Sequence, residues 1–72
     1  MNRDMMIWRG SDEVRGMALT GARICIEHWM AENDTDMIAE AVARYRRIMN
    51  GTALVCDIEG AIDWLDQSTP QA

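Results

Sequence analysis

The chain has no lysine, no phenylalanine, one proline, one histidine and two cysteines among its 72 residues. One Pro and five Gly exclude a collagen-like chain or a proline-rich linker. No apolar run approaches the roughly 20 residues that a membrane span needs. Met1–Arg9 shows no long apolar stretch behind a basic start, so no secretory leader is read and a cytoplasmic location is expected. In that setting Cys25 and Cys56 are expected to be reduced small apolar fillers, a disulfide between them being the alternative. Cys25 and His28 stand at i and i+3, with Cys56 as a third candidate ligand. A zinc site wants three or four such ligands, and the sequence has no CxxC and no second His. Ser11, Ser68, Thr20, Thr35 and Thr52 have no neighbouring base, and the five glycines form no phosphate loop. Neither an enzyme nor a cofactor is expected from this inventory. With no lysine, all seven cations are Arg. Such usage goes with a GC-rich coding sequence, and hence with a bacterium or one of its phages, by association.

Apolar residues supply 49% of the chain and charged residues 26%, which excludes a disordered polar chain. At this length a single domain is expected, spanning 1–72, with an extended arm at 1–10 and a flexible tail at 67–72. A core of this size stabilises by only about 3–5 kcal/mol unless a second copy covers it. The net charge is −5, and it is blocked. Residues 1–26 carry four Arg against three acids, and 27–40 carry five acids alone. Residues 41–51 carry Arg44, Arg46 and Arg47, and 52–72 carry Asp57, Glu59, Asp63 and Asp66. This field repels phosphate and favours basic protein partners, so direct nucleic-acid binding is not expected.

The periodicity predicts an all-α fold of three helices, at about 12–32, 35–49 and 53–66. Ser11 reads as the first N-cap, with Asp12 and Glu13 suited to the helix dipole. Val14, Met17, Ala18, Gly21, Ile24, Cys25, His28 and Trp29 form one apolar face. Leu19, Ala22, Ile26 and Met30 form a second, leaving Gly16, Thr20, Arg23, Glu27 and Ala31 as a narrow polar strip. A helix this apolar is either the centre of the fold or part of a homodimer interface. The expectation is a homodimer through Leu19, Ala22, Ile26 and Met30 and through the arm. Gly16 and Gly21 each cost about 1 kcal/mol against Ala in a helix, which tertiary contacts must offset.

Asp34 or Thr35 can cap the second helix, Glu40 and Arg44 form a favourable i,i+4 pair, and Asn50-Gly51 reads as its stop. Thr52 can cap the third helix, whose stripe is Leu54, Val55, Ile58, Ala61, Ile62 and Leu65. The competing reading makes Thr52–Cys56 a short strand with the helix starting after Asp57. Trp29 and Trp64 flank their stripes as core or core rim. Met5-Met6-Ile7-Trp8 reads as a short strand or extended arm, with Trp8 at a core or an interface.

Glu59, Asp63 and Asp66 stand at i, i+4 and i+7, a line of like charge with no cation among them. It is either a solvated face or a surface that meets Arg from the second helix, a second subunit or another protein. The candidate partner-binding residues are therefore Glu59, Asp63 and Asp66, with Trp8, Met5 and Met6.

Thr35–Tyr45 (TDMIAEAVARY) resembles the second helix of ribbon-helix-helix repressors over eleven residues. The first helix here is longer than in that family, and the arm lacks its alternating polar strand. Asp57–Leu65 (DIEGAIDWL) is similar to the last helix of ubiquitin-associated domains, without their Met-Gly-Phe-type loop. Both matches are generic amphipathic helices, and neither assigns a family. The expected function is that of a non-enzymatic, acidic protein-binding module that masks a basic or mixed surface. A phage-encoded inhibitor of a host defence or nucleic-acid-handling complex, anti-CRISPR-like, would fit. A small DNA-binding regulator or antitoxin of ribbon-helix-helix type and a stabilising subunit of a larger complex are the alternatives.

Overall fold

The computed structural model describes residues 2–68. After a 3-10 turn at Arg3–Met5 come three helices: α1 (Asp12–Ala31), α2 (Thr35–Asn50) and α3 (Val55–Ser68). The fold is all-helical, and no strand occurs among the described residues beyond one isolated bridge.

Local chemistry sets most of the helix ends. Ser11 Oγ accepts the Val14 N–H at 3.2 Å and starts α1. The Glu32 N–H donates back to the His28 carbonyl, and Asn33 takes a left-handed φ of 55°, which Asn tolerates better than most residues. Asp34, rather than Thr35, caps α2 by accepting the Met37 N–H at 3.1 Å. Gly51 ends α2 at φ 77°, where a side chain would be strained, and the Thr52 N–H donates to the Arg47 carbonyl.

The start of α3 corrects the expected boundary. The helix begins at Val55, and Leu54 rather than Thr52 occupies the cap position. The Leu54 carbonyl accepts the Ile58 N–H, and Asp57 Oδ2 accepts the Leu54 N–H at 3.0 Å. This is the reach-back half of a capping box, closed by a carboxylate in the first turn. Ala53 and Leu54 stay extended because the N-terminal segment bonds to them. The Trp8 N–H donates to the Ala53 carbonyl at 2.8 Å and the Val55 N–H to the Met6 carbonyl at 2.9 Å, placing Ile7 opposite Leu54. At its other end α3 runs to Ser68, so Gln67 and Ser68 are helical rather than part of a tail. The remainder of the expected tail, 69–72, lies outside the described residues.

α1 packs against both α2 and α3, which touch each other little, so the molecule is thin, 35 × 34 × 20 Å. Small side chains allow this layering. The buried core is Ala18, Ala22, Cys25, Ala41, Ala53 and Ala61, with Ile48 and Ile58 the only large side chains enclosed completely among the described residues. At Gly21 the α1 and α3 backbones meet, and a Cβ there would overlap the Ala61 carbonyl oxygen. Gly16, by contrast, faces open space, and nothing in the structure explains its presence. The polar strip Gly16, Thr20, Arg23, Glu27 and Ala31 is exposed, as its period requires.

Candidate functional site

The acidic line on α3 lies at the surface. Glu59, Asp63 and Asp66 are all exposed, and none joins an ion pair among the described residues. Two of the three arginines of α2 turn elsewhere, and the third, Arg46, is exposed and joins no ion pair among the described residues. Arg47 grips Asp57 with both arms of its guanidinium, Nε to Oδ2 at 3.0 Å and Nη2 to Oδ1 at 2.8 Å. Arg44 Nε stands 3.8 Å from the same carboxylate, and its guanidinium lies over Gly60. The pair expected between Glu40 and Arg44 therefore does not form, because this face of α2 looks onto the start of α3.

Asp57 is the only buried charged residue among those described. The hydrogen bonds from Arg47 hold its carboxyl below the ordinary aspartate value, opposing the upward push of burial, and the Leu54 N–H adds to the lowering. The same fork holds the Arg47 guanidinium charged more firmly. Because Asp57 also fixes Leu54, one carboxylate ties the end of α2, the start of α3 and the residues on which the N-terminal segment rests.

That segment divides the remaining candidates. Trp8 is half-buried against the chain's own core, with the Arg15 guanidinium carbon 5.3 Å from its ring centroid. Arg15 Nη1 donates to the Ile48 carbonyl at 2.9 Å, so the stacked cation also caps the end of α2. Met5 and Met6 stay outside, 62% and 48% exposed, beside the helix that carries the acidic line. The second stripe of α1 divides similarly. Ala22 sits in the core, Leu19 and Ile26 are half-buried, and Met30 is exposed.

Two features were missed in the sequence. One is the ion-pair cluster around Asp57, whose sequence signal was its place three residues after Leu54, where an N3 carboxylate reaches a cap. The other is an aromatic cluster at the far end of α1 and α3. The ring of His28 lies 4.7 Å from Trp29 and 5.0 Å from Trp64, centroid to centroid, and the two indoles are 6.5 Å apart. An open groove of about 610 Å³ runs beside His28 and Trp64. A smaller hollow of about 260 Å³ lies beside Cys25, Arg44 and Arg47. Burial pushes the Cys25 thiol up, against Arg44 and a hydrogen bond with Trp29. Cys25 is buried, Cys56 is exposed, and the two are not bridged. No group of three or more His, Cys, Asp or Glu among the described residues is placed to hold a metal ion. No helix among the described residues is long and apolar enough to cross a membrane.

Comparison with protein-family models, with curated proteins and with solved structures found no match.

Proposed function

We propose that this protein is a non-enzymatic binding module that covers a basic or mixed surface of a larger protein through the acidic line of α3. The observation that carries this reading is the separation of its charges. Arg44 and Arg47 are committed to Asp57, while Glu59, Asp63 and Asp66 face solvent without a counter-ion among the described residues. Exposed Met5 and Met6, beside α3, supply the adaptable apolar contacts that such a surface uses. A small protein of net −5 competes well for surfaces built to hold phosphate. The role that fits this chemistry is a phage-encoded, cytoplasmic inhibitor of a host defence or nucleic-acid-handling complex, anti-CRISPR-like. A stabilising subunit would use the same face, and differs in that its partner fails to fold without it. The ribbon-helix-helix reading is less well supported, because Met6 and Trp8 spend their bridging backbone groups on Ala53 and Val55 of the same chain.

The test is capture from the native host, followed by elution with salt. One stoichiometric partner with a basic surface should be retained near 0.1 M salt and released towards 1 M, where charges are screened within about 3 Å. Retention of nucleic acid with no protein partner would contradict the proposal and favour the DNA-binding regulator.

The second copy that covers the rest is proposed to meet this chain along α1 and the N-terminal segment. Met30 is 58% exposed, Leu19 and Ile26 are half-covered, and Ile7 has its backbone N–H and C=O unpaired among the described residues. Sedimentation equilibrium should show a dimer at micromolar concentration, dissociated by Ile26→Glu or Met30→Glu. An 8.2 kDa species at every concentration would remove the dimer and leave α1 covered by α2 and α3 alone.

A further inference from the structure

We propose that the groove between the last turns of α1 and α3 receives an arginine side chain of the basic partner. This rests on the proposed function and adds an anchoring point to it. The groove is lined by Ile24, Glu27, His28, Trp64, Gln67 and Ser68. Two of its lining side chains, His28 and Trp64, are aromatic and held in advance: the His28 ring lies tilted at 48° to Trp64, and Trp29 stands edge-on against His28 from behind the groove. A guest therefore meets a surface that needs little ordering.

The electrostatics at this end select a cation. Gly21 meets Ala61, and Ile24 and His28 reach Trp64 and Ser68 further along, so α1 and α3 run in the same sense. Both carboxyl ends, the negative poles of their dipoles, point to the groove. Among the described residues the last turn of α3 contains no basic residue, and the one basic side chain that lines the groove is His28, in the last turn of α1. Glu27 is exposed at the rim and makes no ion pair among the described residues. A planar guanidinium can lie on the Trp64 or His28 face while donating two parallel hydrogen bonds to the Glu27 carboxylate, which a compact ammonium cannot do.

The test titrates the full chain with an end-capped tetra-arginine peptide, and separately with tetra-lysine, while amide and indole N–H resonances are followed. Tetra-arginine should produce saturable shifts at the Trp64 indole and at His28, and bind about fivefold or more tightly than tetra-lysine. Glu27→Gln, an exposed change, should weaken arginine binding by a similar factor. Trp64→Leu should abolish the preference for arginine, with helicity checked by circular dichroism. Repeating the titration with Glu59, Asp63 and Asp66 all reversed to Lys separates the two readings. Arginine-selective shifts at Trp64 that survive the reversal support the groove as a separate anchor, while the acidic line stands or falls by its effect on partner affinity. Loss of the Trp64 shifts on reversal would overturn the groove as a site of its own. Shifts confined to the acidic line, equal binding of both peptides, unaltered binding by Glu27→Gln, or no saturable shift would each overturn the groove proposal.

Discussion

Gly21→Ala is expected to destabilise the fold by about 3 kcal/mol, which is most of what a chain of this size has to lose. The added methyl would meet backbone, the Ala61 carbonyl and the Leu65 amide nitrogen, rather than a side chain that could swing aside. α1 and α3 must separate along their length, and Ala18, Ala22 and Ile58 lose packing with them. The gain in helix propensity, about 1 kcal/mol, does not offset this. Gly16→Ala provides the control. It sits on the same helix with nothing within 4 Å of the new methyl, and should stabilise by up to about 1 kcal/mol. Urea denaturation followed by circular dichroism reads both. Equal stability of the two variants would mean that α1 and α3 do not cross at Gly21.

The second large effect belongs to Asp57. Asp57→Asn is expected to cost about 2–3 kcal/mol, because it breaks a charge-assisted fork inside the fold and leaves Arg47 without its partner. The loss is held to that range because Arg47 is 43% exposed and can turn to water. The native carboxyl titrates below the ordinary aspartate value of 3.8, so the folded state binds this proton less readily than the unfolded chain. Its contribution is therefore complete above about pH 4 and is lost as pH falls through the lowered native value. Asp57→Asn should remove that acid limb from the stability curve. It should also loosen the N-terminal segment, since Asp57 holds Leu54 opposite Ile7, and amide exchange at Trp8 and Val55 should quicken. An unchanged acid limb would show that the ion pair does not stabilise the fold.

These two sites also mark where the sequence was legible. Helix ends set by local chemistry could be read directly: Ser11, Asp34 and Gly51 each do what their residue type favours at that position. The α3 stripe and the exposure of Glu59, Asp63 and Asp66 follow from helical period alone. The start of α3 could not be read this way, because extended backbone at Ala53 and Leu54 depends on a segment more than forty residues earlier. The ion pairs of Asp57 with Arg44 and Arg47 are not legible for the same reason, since periodicity places a residue on a face without saying which neighbour covers that face. His28, Trp29 and Trp64 carried signals as single residues, but their convergence needs α1 and α3 packed in register at Gly21. The two apolar stripes of α1 were legible as too much apolar surface for one neighbour. The structure supplies two neighbours, α2 and α3, and still leaves Met17 and Met30 exposed.

We propose that the free carboxylates of α3 make the partner contact, while the bound carboxylate of Asp57 ties α2 to the start of α3. The most direct test of that contact is the affinity of the captured, purified partner for the wild-type protein and for the variant with Glu59, Asp63 and Asp66 reversed to Lys. Both are measured near 0.05 M and 0.5 M salt, with helicity confirmed for each. Wild-type binding should weaken steeply as salt rises, and the folded variant should no longer bind. A folded variant that binds with wild-type affinity and the same salt dependence would contradict the proposed contact.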